Sequence, residues 1–245
     1  THTNAFRLVH GEGDDLPGLI VDIYDDVLVM QAHSIGMYLA LPEIAKAAEK
    51  VLGNRISAIY DKSKDCLPAQ FAYPLQNRWL LGEKEQVSIV ENNIRFHIDV
   101  VKGQKTGFFL DQRDNRSLLG TYSKGKSVLN TFCYSGGFSL AALQVGATQV
   151  DSVDVSSNAM QLLEDNLLLN EYSAENHTSY TDDVMKFLRK EEVPQYDIVV
   201  LDPPAFAKSM SKRHNAVQGY KRLNVLGLEK VKPGGLLFTF SCSQV

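Results

Sequence analysis

From Ser127 onward the chain alternates short apolar runs with segments of helical spacing, and this pattern restricts the possible fold more than any other feature. The apolar runs predict strands at 127–132, 149–154, 177–181, 196–202 and 235–241. Helices are expected between them, at 137–145, 157–170, 183–191 and 216–230. Strands that alternate with helices in this way favour a parallel sheet with right-handed crossovers. We therefore expect a doubly wound, Rossmann-like α/β domain over residues 103–245.

The first hundred residues predict a separate, small α+β domain, residues 1–102, in which no chemistry is recognisable. Residues 19–33 contain two apolar runs around an Asp-Asp pair, which predicts a hairpin. Residues 42–52 have helical spacing, and Pro42 is placed where a first-turn proline is tolerated. The chain starts with Thr and stops directly after the last predicted strand, so we expect a fragment that lacks the C-terminal strands of its α/β domain.

Composition excludes several classes of protein. With 44% apolar and 22% charged residues among 245, the chain is too apolar to be disordered. No apolar run approaches the roughly 20 residues that a membrane span needs, and the N-terminus lacks the basic and then apolar order of a signal peptide. The three cysteines, Cys66, Cys133 and Cys242, cannot form a disulfide framework and lack metal-ligand spacing. We expect a cytoplasmic protein with no metal and no membrane partner.

Positive charge is concentrated locally, although the net charge is −4. Residues 102–126 carry six Lys/Arg and two Asp, and residues 208–222 carry five Lys/Arg and no acid. A solvated face accounts for such clusters without any partner, whereas a nucleic-acid phosphate backbone needs local positive charge rather than a basic pI. The residues expected to border an RNA path are Lys102, Lys105, Lys208, Lys212, Arg213, Lys221 and Arg222.

The segment VLNTFCYSGGFSLAAL, residues 128–143, predicts a strand, a glycine turn and the start of a helix. Gly136 lets the backbone approach a ligand, although many strand-to-helix turns carry glycines for packing alone. Asp154 ends the next strand, where a carboxylate can accept both hydroxyls of a ribose. Asp183 follows the third strand and can bond the adenine amino group, cap the following helix, or do both.

The absence of GxGxxG after the first strand distinguishes between two classes of nucleoside cofactor. A dinucleotide needs a pyrophosphate cradle, whereas S-adenosylmethionine carries no phosphate. The sequence therefore favours a methyl donor over NAD.

The last two predicted strands end in LDPPAF and TFSCSQ. Asp202 is expected at the carboxyl edge of the sheet, where open α/β sheets bind ligands. Phe206 can stack on a planar base or belong to the core. Cys242 is expected at the same edge, where a thiolate that adds to C6 of a pyrimidine would make C5 nucleophilic enough to accept a methyl group. A lone Cys is otherwise more often a small buried side chain.

Taken together, TGFFLDQRDNR, LNTFCYSGGFSLAAL, VDVS, LDPPAF and TFSCS resemble the bacterial large-subunit ribosomal RNA cytosine-5 methyltransferases, which are class I S-adenosylmethionine-dependent enzymes. The resemblance implies that the cofactor is held by Tyr134, Ser135, Gly136, Asp154 and Asp183. It makes Asp202 the active-site acid beside the cofactor and Cys242 the nucleophile. The resemblance also implies ribosomal RNA as the partner. Apart from it, substrate contacts are expected from Phe206, by its place in the LDPPAF motif, and from Lys105, Lys208, Lys212 and Arg213, by the local positive charge. The family typically begins with an RNA-binding PUA domain, which we do not find in this sequence.

Two other functions remain open from the sequence. A related branch with similar motifs methylates guanine at N7 without a nucleophilic cysteine. A module that binds RNA and the cofactor without catalysis is the third possibility. The oligomeric state is also open, and a homodimer is one arrangement.

Overall fold

The computed structural model describes residues 3–72, 74–172, 174–206 and 213–242. Contacts between residues divide the chain into two compact units, Thr1–Arg113 and Asp114–Val245. This division lies later in the chain than the boundary expected after residue 102. No helix in the described ranges has both the length and the apolar character that crossing a membrane requires.

The first unit is built on a five-stranded sheet. Its strands pair in the order β1 (Ala5–His10), β2 (Leu19–Tyr24), β3 (Val27–Ala32), β4 (Ala58–Asp61) and β5 (Arg78–Leu81). Only β3 and β4 pair in parallel, and helix α1 (Ile35–Leu52) connects them. A short helix α2 (Ala69–Ala72) precedes β5, and β6 (Gln86–Glu91) pairs with β7 (Ile94–Asp99) as a separate hairpin. The hairpin predicted within residues 19–33 is confirmed as β2 and β3.

Helix α1 begins earlier than the sequence predicts, so the placement of Pro42 in a first turn is wrong. The helix starts after Ser34, whose hydroxyl accepts a hydrogen bond from Met37 N at 3.2 Å and caps the N-terminus. Pro42 lies inside the helix and lacks the N–H that would bond the Tyr38 carbonyl. Met37 and Tyr38 pack against the core ahead of the proline, and this burial offsets the missing bond.

The second unit contains a parallel sheet with helices between its strands. The strands pair in the order β10 (His177–Thr181), β9 (Gln149–Asp154), β8 (Ser127–Thr131), β11 (Tyr196–Leu201) and β12 (Val231–Thr239). Helix α3 (Arg113–Ser123), which begins on the last residue of the first unit, precedes β8. The helices between the strands are α4 (Gly137–Gln144), α5 (Ser157–Leu169), α6 (Val184–Phe187) and α7 (Arg213–Glu229). Every strand pair in this sheet is parallel, which confirms the predicted doubly wound, Rossmann-like α/β fold.

Two elements of this unit differ most from their predicted bounds. Helix α6 ends after a single turn, at Phe187, instead of continuing to residue 191. Strand β12 begins at Val231 instead of residue 235, because Val231 pairs with Tyr196 before an irregular stretch that contains Pro233 and Gly234. The Lys-Pro-Gly-Gly sequence suggests a turn, but here it forms a break in register inside the strand.

Candidate active site

The pairing of the sheet brings the candidate residues of the second unit to one edge. Thr131 at the end of β8 pairs with Val153 of β9 and with Leu201 of β11, and Leu201 pairs in turn with Thr239 of β12. The strand order reverses between β8 and β11, which is where open α/β sheets bind their ligands. The segments that leave this edge contain residues 132–136, Asp154, Asp183, Asp202 and Cys242.

The turn after β8 has an unusual backbone conformation. Phe132 has a φ of 55°, Tyr134 a φ of 45° and Gly136 a φ of 81°, all in the left-handed region. Gly136 N donates to Cys133 O at 2.8 Å and closes the turn ahead of α4. A Cβ at Gly136 would lie 2.1 Å from Cδ1 of Leu163, so this position needs glycine for both its conformation and its close packing.

Asp154 contacts the glycine turn directly. Its Oδ2 accepts from Tyr134 N at 3.1 Å, and its Oδ1 accepts from Ser156 N at 2.9 Å. The carboxylate is half-buried, and each oxygen has a second lone pair for a further donor. Asp154 therefore both orients the turn and retains the capacity to accept two ligand hydroxyls.

Sequence reasoning missed two side chains that support the same turn. Asn166 is fully buried on α5, and its Nδ2 donates to Ser135 O at 3.0 Å. Arg116 on α3 is 4% exposed, and its Cδ would lie 2.9 Å from a Cβ placed at Gly137. The available signal was a polar residue within an apolar stretch, since Asn166 stands directly before three leucines.

Asp183 acts as a helix cap in this structure. Its Oδ1 accepts from Lys186 N at 2.9 Å at the start of α6, as one of the two sequence interpretations predicted. The side chain is exposed beside β10. The neighbouring Asp182 forms an ion pair with Lys190 at 2.8 Å, which lowers the pKa of the Asp182 carboxyl.

The segment that follows β11 is held by packing. Asp202 is half-buried, Pro203 is buried, and Phe206 is half-buried against the core of the second unit. The ring centroid of Phe206 lies 4.5 Å from that of Tyr220 on α7. Phe206 thus belongs partly to the core, although some of its surface remains accessible.

The three cysteines lie in different environments. Cys242 is exposed, whereas Cys133 is 6% exposed and its Sγ lies 3.6 Å from Sδ of Met160. Burial raises the pKa of the Cys133 thiol well above its usual value, and the pKa of the half-buried Cys66 thiol is also raised by burial. Since a nucleophilic cysteine must be accessible to its substrate, the exposure of Cys242 suits that role best among the three.

The basic residues expected along an RNA path have different surroundings. Arg213, Lys221 and Arg222 are exposed on α7, while Lys208 and Lys212 lie outside the described residues. Lys102 and Lys105 belong to the first unit.

Lys105 already has interactions of its own. Its Nζ donates to both carboxylate oxygens of Asp111 at 3.0 Å and lies 4.5 Å from the ring centroid of Phe109. In the parts of the chain that the structure describes, no three His, Cys, Asp or Glu side chains are grouped as metal ligands would be.

Comparison with known proteins is consistent with this architecture. The curated relatives include Ribosomal RNA large subunit methyltransferase I of Shewanella frigidimarina, 41% identical over 98% of this chain and 61% of that protein. The protein of the same name from Shewanella denitrificans is 42% identical, with the same coverage. The crystal structure of SMU.776 complexed with SAH superposes with a TM-score of 0.83 at 30% identity, over 97% of this chain and 61% of that chain.

The chain thus spans about three fifths of the length of the curated relatives that it matches. The family model for the S-adenosylmethionine-dependent methyltransferases matches residues 6–244, which is nearly the entire chain. On the strength of that match, this chain belongs to the S-adenosylmethionine-dependent methyltransferase family.

Proposed function

We propose that the chain is the methyl-transferring part of an enzyme that forms 5-methylcytosine in large-subunit ribosomal RNA, with Cys242 as the nucleophile. The observation that carries this proposal is the pairing of β11 with β12. Phe240 N donates to Leu201 O at 2.9 Å, so the segments bearing Asp202 and Cys242 leave the same sheet edge side by side. The names of the curated relatives support ribosomal RNA as the substrate.

The residues around the glycine turn fit S-adenosylmethionine. The cofactor would be held by Tyr134, Ser135, Gly136, Asp154 and Asp183, and it supplies an electrophilic methyl group when bound. Asp154 is anchored by two backbone N–H groups and can accept the ribose hydroxyls with its remaining lone pairs. The turn brings its backbone close to this carboxylate, and a side chain at Gly136 would collide with Leu163.

Cys242 has the chemistry that methylation at C5 requires. Its thiolate forms a bond from Sγ to C6 of the cytosine, which moves electron density to C5 and makes that carbon a nucleophile. C5 takes the methyl group that bound S-adenosylmethionine would supply, with S-adenosylhomocysteine as the leaving group. The C5 proton then passes to solvent water and the thiolate leaves C6, which restores the aromatic ring. The exposure of Cys242 allows a base in RNA to reach the sulfur.

Asp202 and Phe206 would hold the base during this reaction. The carboxyl of Asp202 is half-buried at the sheet edge. It would accept from the exocyclic amine, or donate to the N3 edge when protonated, and we expect it to border the cofactor as well. The accessible part of the Phe206 ring limits the tilt of the base through stacking. The path of the RNA backbone would be bordered by Lys102, Lys105, Lys208, Lys212, Arg213, Lys221 and Arg222.

Covalent trapping tests the proposed nucleophile. The full-length protein is incubated with S-adenosylmethionine and large-subunit RNA that carries 5-fluorocytosine, which lacks the proton needed for release. We expect a stable protein–RNA adduct with the wild type and with the control Cys66→Ala, and no adduct with Cys242→Ala.

The alternatives give different results in the same experiment. Full methylation by Cys242→Ala would reject the nucleophile and favour a non-covalent target such as guanine N7. Cofactor and RNA binding without any methylated nucleoside would favour a non-catalytic module. Mass spectrometry of the nucleosides in the treated RNA separates these outcomes.

A further inference from the structure

Helix α7 forms a contact surface for Phe206, the second residue after the Asp-Pro-Pro motif. A Cβ placed at Gly219 would lie 2.9 Å from Cδ2 and 3.3 Å from Cε2 of Phe206. On the next residue, the ring of Tyr220 is tilted by 35° against the ring of Phe206, with their centroids 4.5 Å apart. The Phe206 ring is therefore in contact with the backbone of the helix at one residue and with an aromatic ring at the next.

The glycine at this helical position has a packing reason. Gly219 lies within the first two turns of α7 (Arg213–Glu229), where the backbone is helical and glycine is not required by φ. A glycine inside a helix costs about 0.5–1 kcal/mol relative to alanine. Because Phe206 fills the space that a side chain at Gly219 would occupy, the glycine allows the Phe206 ring to lie close to the helix backbone.

The same face of α7 packs along the end of β11. Gly219, Leu223 and Gly227 are spaced by four residues and so share one side of the helix. Leu223 is fully buried, and a Cβ at Gly227 would lie 2.7 Å from Cδ1 of Leu201. Helix α7 thus contacts the chain directly before Asp202, through Leu201, and four residues after it, through Phe206.

We propose that Gly219 and Tyr220 are positioning residues that fix the ring of Phe206 for contact with the target base. This inference rests on the proposed function, because it assigns these residues to the base-binding side of the same site. Gly219 sets how closely the ring approaches the helix, and Tyr220 sets its tilt. Neither residue needs to touch the reacting atoms.

A displaced Phe206 should affect the reacting geometry more than RNA affinity. RNA affinity depends mainly on contacts to the phosphate backbone, whereas reaction depends on the orientation of the base. The Gly219→Ala variant of the full-length protein should therefore lose about tenfold in kcat, with KM for RNA changed by less than about threefold. The matched control is Gly120→Ala on α3, where the nearest atoms to a new Cβ are 3.6 Å away.

The test distinguishes positioning from a general loss of structure. Calorimetric binding of the cofactor should match the wild type. Thermal unfolding should show only a small loss of stability, because the higher helix propensity of alanine offsets part of the cost of moving the Phe206 ring. In the Phe206→Ala background, adding Gly219→Ala should cause no further loss of kcat, since the ring through which it acts is gone. Tyr220→Phe should retain nearly full kcat, and Tyr220→Leu should lose it.

Each contrary result has a definite reading. Wild-type activity in both Gly219→Ala and Tyr220→Leu would overturn the inference and leave the proposed function intact. Additive losses of kcat in the double variant Phe206→Ala with Gly219→Ala would also overturn the inference. If Gly219→Ala fails to fold, the comparison of Tyr220→Phe with Tyr220→Leu decides the question. Failure of the wild type to methylate any RNA would instead reject the proposed function.

Discussion

The ring of Phe240 stacks on the ring of Phe138, with their centroids 5.4 Å apart and their planes 20° from parallel. Phe138 is the second residue of α4 and directly follows the glycine turn. Phe240 stands just after β12 and two residues before Cys242. A single aromatic contact therefore connects the turn proposed for the cofactor with the segment proposed for the nucleophile.

Removing this contact should loosen the segment that bears Cys242. Phe240→Ala is expected to destabilise the protein by about 2–3 kcal/mol, since the ring is half-buried and stacking adds about 0.5–1.5 kcal/mol to burial. Formation of the 5-fluorocytosine adduct should slow at the same time. Urea unfolding and adduct kinetics measure the two effects. Phe240→Leu, which keeps apolar contact without a ring, should lie between the wild type and the alanine variant.

Asp154→Ala should weaken binding of S-adenosylmethionine. Loss of charge-assisted hydrogen bonds to the ribose is expected to cost about 1.5–3 kcal/mol, or tenfold to a hundredfold in affinity. Calorimetry with S-adenosylmethionine or its demethylated product measures this change. The exposed Asp165→Ala on α5 is the control and should bind normally. Unchanged affinity in Asp154→Ala would remove this residue from the proposed site.

The two requirements for glycine at position 136 can be separated by mutation. Gly146 has a φ of 87° and no atom within 4 Å of a new Cβ, so Gly146→Ala measures the backbone cost alone, about 1–2 kcal/mol. Gly136 has a similar φ, but the Cβ of an alanine there would also collide with Leu163, which adds about 1–3 kcal/mol to the loss of stability. Urea unfolding should therefore rank Gly136→Ala as clearly less stable. Equal losses would mean that the packing around Leu163 relaxes freely.

The sequence predicts this fold well where local pattern and tertiary environment agree. β8, β9 and β11 are buried runs, and their parallel pairing follows from the alternation of strands and helices. The early start of α1 was missed because Pro42 indicates a first turn, while the Ser34 cap and the packing of Met37 determine the actual start.

The edge at which the candidate residues lie was predictable from sequence, but their supporting contacts were not. Residues at the ends of parallel strands must meet at one edge, so Asp154 and Asp202 could be assigned to that edge from sequence. The bond from Asn166 to Ser135 and the contact of Phe206 with Gly219 depend on how α5 and α7 pack, which no local pattern specifies.

Neutralising the exposed basic residues of α7 should reduce the salt dependence of RNA binding. Each phosphate contact contributes about 0.7–0.9 to the slope of log affinity against log salt. Single Arg213→Gln, Lys221→Gln and Arg222→Gln variants should each flatten the slope by up to that amount, while Lys46→Gln on α1 should leave it unchanged. Filter binding measures the slope at salt concentrations from about 50 to about 300 mM, a range over which electrostatic screening changes strongly. Identical slopes for all variants would place the RNA path elsewhere.

A chain of buried hydrogen bonds in the second unit should make the free energy of unfolding depend on pH. Asn130 Nδ2 donates to Ser139 Oγ at 2.8 Å, Ser139 Oγ lies 2.7 Å from Ser152 Oγ, and Ser152 Oγ lies 2.8 Å from His177 Nε2. All four residues are buried. Because Asn130 donates at one end, the hydroxyls of Ser139 and Ser152 can each donate to the next member, and His177 Nε2 then accepts at the other end. An accepting Nε2 requires a neutral imidazole.

Burial lowers the pKa of His177 below its ordinary value of 6.5. The unfolded chain therefore binds a proton at this residue more readily than the folded protein does. Stability from the neutral imidazole is fully present above pH 6.5 and declines as the pH falls toward the lower folded-state pKa. Urea unfolding between about pH 8 and 5 should show this decline, and His177→Gln should flatten it. His33→Gln, at an exposed position, is the matched control. A His177→Gln variant with the same pH slope as the wild type would assign the decline to other groups.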